Sequence, residues 1–128
     1  MARILLIDDD NALREVLAMA LTEAGHVVTQ ARDGKEGVDL FRMEPAELII
    51  TDLIMPGREG IETIMMLRRE QPELPVIAIS GGMTNSAFYL KLAAGLGARR
   101  TLAKPFAIAE LVGAVAEVLA AAGRSPAT

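Results

Sequence analysis

Five short apolar runs alternate with stretches of helical period along almost the whole chain, and each changeover carries Gly, Pro, Asp or Asn. That rhythm belongs to β-α units. Arg3 to Ile7 is the first run, and after it Leu13, Val16, Leu17, Ala20 and Leu21 recur at the spacing of one helix face. Asp10 or Asn11 can cap the start of that helix and Gly25 its end. His26 to Ala31 reads as a second strand, Arg32-Asp33-Gly34 as a turn, and Lys35 to Met43 as a helix that stops before Pro45. Leu48 to Thr51 is the third strand. A loop with Pro56 and Gly57 follows, then a helix from about Gly60 to Glu70 with Ile61, Ile64, Met65 and Leu67 inward. Val76 to Ile79, a helix from about Ser86 to Leu96, Arg100 to Ala103 and a helix from Ile108 to Ala122 complete the pattern, and Gly123 to Thr128 reads as a flexible tail. The expected fold is α/β: a doubly wound parallel sheet of five strands and five helices, with right-handed crossovers and helices on both faces.

In such a sheet, ligands bind beyond the carboxyl ends of the strands. Asp8, Asp9 and Asp10 follow the first strand, Asp52 the third, Ser80 the fourth and Lys104 the fifth. If the first and third strands are neighbours, their carboxylates converge, and each like-charge pair at 4 Å costs about 4 kcal/mol at an effective dielectric of 20. A hard divalent cation offsets that cost, because Mg²⁺ takes oxygen from one or two carboxylates and keeps phosphate or water on its other positions. Lys104 adds a point charge suited to a phosphate oxygen, and Ser80 a hydroxyl donor. Helix capping accounts for Asp10 or Asn11 but needs one carboxylate, not three. The lone His26 reads as structural, and Met55, Met65 and Met66 as core or turn filler.

Composition narrows the function classes. With 13 basic and 17 acidic residues the chain carries −4, and it has only four aromatics (Phe41, Phe88, Tyr89, Phe106), so it offers neither a basic stripe nor stacking platforms for nucleic acid. The first 62 residues hold 13 acids and 6 bases and the rest 4 acids and 7 bases, so the two halves attract. There is no cysteine, which removes disulfides and thiolate chemistry, and no apolar run approaches the roughly 18 residues of a membrane span. The amino terminus lacks the features of a secretion signal, and a cytoplasmic protein is the expectation.

The motifs Ile4-Leu5-Leu6-Ile7-Asp8-Asp9-Asp10, Thr51-Asp52-Leu53-Ile54-Met55-Pro56-Gly57, Ser80-Gly81 and Leu102-Ala103-Lys104-Pro105-Phe106, in this order, resemble the receiver domain of two-component response regulators. The resemblance runs from about Arg3 to Ala121, with residues 1–122 as the domain. It implies a flavodoxin-like sheet of order 2-1-3-4-5 and a stand-alone, chemotaxis-regulator-like switch. By the same resemblance Asp52 is the phospho-acceptor for a histidine kinase or histidine phosphotransferase. Asp8, Asp9, Asp52 and the main-chain carbonyl of Ile54 hold Mg²⁺, and Ser80, the Gly81 amide and Lys104 receive the phosphoryl oxygens. Lys104-Pro105 is expected to be cis. Ile54 and Gly82 occupy positions that tune hydrolysis in the family, and neither can orient water through a polar side chain, so a long-lived phosphoryl group is expected. The implied output is contact with a downstream protein target, with a phosphorylation-dependent dimer as one form; no contact with DNA or membrane is expected. Whether the chain stands alone or belongs to a longer regulator stays open.

Two features depart from the family pattern. Thr101 stands three before Lys104, where the family usually has an aromatic switch, and the 24-residue step from Ser80 to Lys104 is longer than usual. The segment Phe88 to Leu96 is apolar nearly all round, which fits either a partner surface or a deeply buried helix, and Phe88 or Tyr89 could replace the missing aromatic. Two other functions compete with the switch. One is a receiver-like scaffold that is never phosphorylated. The other is a small Mg²⁺-dependent phosphohydrolase with Asp8 as nucleophile, although Asp8-Asp9-Asp10-Asn11-Ala12 lacks the threonine of that family's motif.

Overall fold

Ile4 to Ile7 are apolar at every position, the pattern of a strand covered on both faces, and they form most of β1 (Arg3–Ile7). The computed structural model of the chain describes residues 2–53, 60–81 and 86–123, the side chains of residues 86, 89 and 90 excepted. After β1 come α1 (Asn11–Glu23), β2 (Val27–Ala31), α2 (Gly34–Met43), β3 (Leu48–Asp52), α3 (Gly60–Glu70), β4 (Val76–Ser80), α4 (Ser86–Gly95), β5 (Arg100–Ala103) and α5 (Ile108–Ala121). The strands make one parallel sheet in the order β2-β1-β3-β4-β5, the expected doubly wound α/β arrangement.

Strand alternation splits the core into two layers. Ile4, Leu6, Leu48, Ile50, Ile77, Ile79 and Leu102 pack with Leu17 and Leu21 of α1 and with Leu111, Val115 and Leu119 of α5. Leu5, Ile7, Ile49, Val76 and Ala78 pack on the other face, with Val38 and Phe41 of α2, Ile64 and Leu67 of α3, and Ala93 of α4. Each fully buried Leu, Ile or Phe contributes about 1.5–3 kcal/mol relative to exposure, so the two layers supply the main drive for folding.

The helix ends are chemically specified. Asp10 caps α1, its carboxylate accepting from the Leu13 amide, and Asp33 caps α2 by accepting from Glu36. Gly25, at φ 99°, closes α1: its amide reaches the Thr22 carbonyl and that of His26 reaches Leu21. Those are the two bonds of a Schellman end, and the left-handed residue within it calls for glycine.

Some side chains face elsewhere than periodicity implied. Val16 is exposed, because the buried stripe of α1 is Leu17, Ala18 and Leu21 and Val16 falls on its flank. Met65 is exposed while Thr63 is buried in α3. His26 precedes β2 rather than opening it, and is buried. In α4, Phe88 and Leu92 are exposed and only Ala93 is buried among the described side chains, so the deeply buried alternative for this helix does not hold. No helix among the described residues is long and apolar enough to cross a membrane.

Candidate functional site

The register of the sheet brings the strand ends level. Ile7 pairs with Thr51, which sets Asp8 beside Asp52, the last residue of β3. Asp52 pairs with Ile79 and Ser80 with Ala103, so Ser80 and Lys104 complete the same edge. The backbone locks this alignment: the amide of Asp8 donates to Ala31 at 3.1 Å, that of Leu53 to Ile79 at 2.9 Å, and that of Lys104 to Ser80 at 2.8 Å. The Lys104-Pro105 peptide is cis.

Lys104 Nζ lies 2.8 Å from Asp52 Oδ2 and 3.2 Å from Asp8 Oδ2, so one ammonium serves two buried carboxylates. Asp9 is exposed at the rim, and one oxygen from each of Asp8, Asp9 and Asp52 lies within 4.8 Å of the others. Burial pushes the Asp8 carboxyl above its ordinary 3.8; the neighbouring Asp52 charge adds to the rise, while the Asp10 amide and Lys104 oppose it. Burial by itself would lower Lys104, but its hydrogen bond and charge attraction to Asp52, reinforced by Asp8, hold it above 10.5.

Among the described residues, two buried side-chain oxygens have no hydrogen-bond partner: Asp8 Oδ2, near Lys104 but not aligned with it as a hydrogen bond, and Ser80 Oγ. Buried polar atoms are nearly always satisfied, so such a pair at the carboxyl edge of the sheet is open to the polar atoms of a ligand. The donor set is all oxygen and carries three negative charges against one lysine. It fits a hard cation such as Mg²⁺, which prefers carboxylate oxygen and retains open positions for phosphate.

The structure therefore brings Asp8, Asp9, Asp52, Ser80 and Lys104 to one edge, as the strand-end argument anticipated, and Gly81, which the resemblance added, lies beside them. A Cβ on Gly81 would stand 3.1 Å from Lys104 Cδ, so the lysine stem lies against this glycine. Thr101 and Phe88 do not join the cluster. Thr101 is half-buried on β5 opposite Ala78, and Phe88 is exposed on α4. Ile54, Gly82 and the Tyr89 side chain lie outside the described residues, as do residues 124–128.

Sequence reasoning missed two supporting residues. Gly60 was read only as a helix start, yet a Cβ there would stand 2.0 Å from the Asp52 carbonyl oxygen and 2.6 Å from Leu53 Cα. Only glycine lets α3 begin against the end of β3. Arg14, one helical turn beyond Asp10, donates from Nη1 to the Asp8 carbonyl at 2.8 Å. Its i+4 spacing from Asp10 was legible, but not the path of its side chain.

A family profile described as the response regulator receiver domain matches residues 4–116. The chain belongs to the response regulator receiver domain family. Response regulator MprA of Mycolicibacterium vanbaalenii is 36% identical over 110 residues, covering 86% of this chain and 47% of that protein. MprA of Mycobacterium avium shows the same identity and coverage, so the chain spans about half the length of these curated relatives. Among solved structures, the receiver domain of NtrX from Brucella abortus matches with a TM-score of 0.85 at 27% identity, over 91% of this chain and 98% of that one. Chemotaxis protein CheY4 of Vibrio cholerae matches with a TM-score of 0.83 at 27% identity, over 93% and 99% of the two chains. Receiver domains of this kind are components of two-component systems, and the acidic cluster at this strand edge is compatible with Mg²⁺.

Proposed function

We propose that the chain is a phosphorylation-controlled signalling switch with Asp52 as its phospho-acceptor, taking the phosphoryl group from a histidine kinase or histidine phosphotransferase. The observation that carries this reading is the pair of buried oxygens without a hydrogen-bond partner, Asp8 Oδ2 and Ser80 Oγ, at the same edge as an aspartate held by Lys104. An Asp52 carboxylate oxygen attacks the phosphorus of the phosphohistidine. The P–N bond breaks with its electron pair leaving on the imidazole, and the product is an acyl phosphate on Asp52. Phosphoryl transfer asks the protein chiefly for positioning and charge neutralisation. Lys104 moves from the carboxylate it now pairs with to a phosphoryl oxygen, while Ser80 Oγ and the Gly81 amide donate to the others. Asp8, Asp9, Asp52 and the main-chain carbonyl of Ile54 would hold Mg²⁺, which when bound neutralises the carboxylates and the incoming phosphoryl oxygens.

The product state signals through contact with a downstream protein target in the cytoplasm, by shifting the balance of two conformations. Loss of the phosphoryl group by slow self-hydrolysis resets the switch, so the protein is an acceptor rather than a turnover enzyme. The test is intact-protein mass after incubation with acetyl phosphate and Mg²⁺. One phosphoryl adduct is expected, absent from Asp52→Asn and absent in EDTA. No adduct under any condition would favour an unphosphorylated scaffold, and sustained release of phosphate from an aryl phosphate would favour the hydrolase.

A further inference from the structure

Arg14 belongs to none of the groups that meet the phosphoryl oxygens, yet it is joined to the acidic turn at two points. Its Nη1 donates to the Asp8 carbonyl at 2.8 Å, and its Nε donates to Gln30 Oε1 on β2 at 3.1 Å. Its own amide donates to the Asp10 carbonyl at 2.9 Å, while the Asp10 amide donates to Asp8 Oδ1 at 2.9 Å. The turn from Asp8 to Asp10 is thus held by the sheet on one side, through the Asp8 amide on Ala31, and by the first turn of α1 on the other. One Asp8 oxygen is occupied by Asp10, and the other faces Lys104. Rotation of the peptide between Asp8 and Asp9 would swing the Asp8 carbonyl off Arg14 and move the Asp9 carboxylate relative to that of Asp8.

We infer that Arg14 is a positioning residue for the divalent cation: its guanidinium bridge from the Asp8 carbonyl to Gln30 fixes the orientation of the Asp8–Asp9 carboxylate pair and so sets metal affinity. The inference rests on the reading of the acidic cluster as a cation site. Groups that orient metal ligands from behind typically change affinity by about 10- to 100-fold when removed. Lysine keeps the charge of Arg14 but presents a single ammonium without the planar fork that spans two acceptors. The bridge and a purely electrostatic role are therefore separable.

The experiment is a Mn²⁺ titration of the full chain, reading the free ion by electron paramagnetic resonance, with unfolding in EDTA measured alongside. Arg14→Ala is expected to weaken Mn²⁺ binding about tenfold or more, and Arg14→Lys to weaken it severalfold despite its retained charge. Wild-type affinity in Arg14→Lys would overturn the bridge. So would a drop in the EDTA unfolding midpoint of Arg14→Ala with no change in Mn²⁺ affinity, since that is the result of a merely structural role. If Arg14→Ala does not fold, Gln30→Ala, on the exposed edge strand, removes one anchor of the guanidinium; severalfold weaker binding is expected, and unchanged binding overturns the proposal. Failure of the wild type to take up Mn²⁺ would overturn the cation site together with the bridge, whereas uptake with unaltered variant affinities overturns the bridge alone.

Discussion

Replacing Asp8 by Asn should stabilise the metal-free protein and destabilise it relative to wild type when Mg²⁺ is saturating. Asp8 and Lys104 are 3.2 Å apart, an attraction of about 5 kcal/mol at an effective dielectric of 20. Against this stand the Asp52 and Asp9 carboxylates, whose oxygens lie within 4.8 Å, a repulsion of about 3.5 kcal/mol from each at that separation. Asp9 is exposed, so solvent and salt screen its share. The Coulomb contributions therefore nearly cancel, and burial decides the sign. A buried carboxylate costs several kcal/mol after relaxation, whereas a buried amide costs about 1–3 kcal/mol. Asn keeps the oxygen that accepts from the Asp10 amide, so that bond survives. A net gain of about 1–2 kcal/mol in EDTA follows, or about 0.5–1 M in the urea midpoint at an m-value of about 2 kcal/mol/M.

The pH dependence has the matching sign. The folded Asp8 carboxyl is raised above 3.8, chiefly by burial, so between 3.8 and its raised value the native state binds more protons than the unfolded one. Ionisation of Asp8 thus weakens the wild type as pH rises through that window, and the advantage of Asp8→Asn grows with pH through it and vanishes below 3.8. Magnesium reverses the ranking, since a ligand at 100 times its dissociation constant adds about 2.7 kcal/mol to a chain that binds it. Urea melts in EDTA and in saturating Mg²⁺, at pH 7 and pH 3.5, test all of this together. A wild type more stable than Asp8→Asn in EDTA at pH 7 would refute the reasoning. Asp52→Asn should gain less, because Asp52 holds the shorter bond to Lys104 and would forfeit more attraction.

Lys104→Ala leaves two buried carboxylates without their shared cation and should cost about 3–5 kcal/mol in EDTA, with part of the loss recovered in Mg²⁺; thermal or urea unfolding reads both. Gly60→Ala drives a methyl into the backbone at Asp52 and Leu53, so it should destabilise the fold by about 3 kcal/mol and slow phosphorylation by acetyl phosphate. His26 is held below 6.5, mainly by burial and also by the nearby amino terminus, with Glu47 opposing. The unfolded chain therefore binds its proton first, and the wild type should lose stability as pH falls below 6.5 while His26→Leu should not show that component; parallel denaturation curves at pH 7 and pH 5 would reveal the difference.

The site was legible because its residues follow strand ends, and strand ends are what periodicity locates best. The apolar strand runs and the turn residues placed Asp8, Asp52, Ser80 and Lys104 at one edge before any distance was known. The side chains that tune the site were harder to find, since their role depends on tertiary approach. Gly60 matters because a Cβ at the start of α3 would stand 2.0 Å from the Asp52 carbonyl oxygen, and no local pattern distinguishes such a glycine from a loop residue. Val16 and Met65 were misplaced for a related reason: a short helix on a sheet buries a narrow stripe, and a residue 100° off that stripe looks equally apolar in sequence. Thr101 lies between these cases. Its pairing with Ala78 puts it on the face of the sheet that also packs α4, where Phe88 and Leu92 are exposed. A threonine there is smaller than the aromatic that the resemblance leads one to expect, and it leaves the end of β5 tied to β4 by its backbone, where the Lys104 amide donates to the Ser80 carbonyl at 2.8 Å.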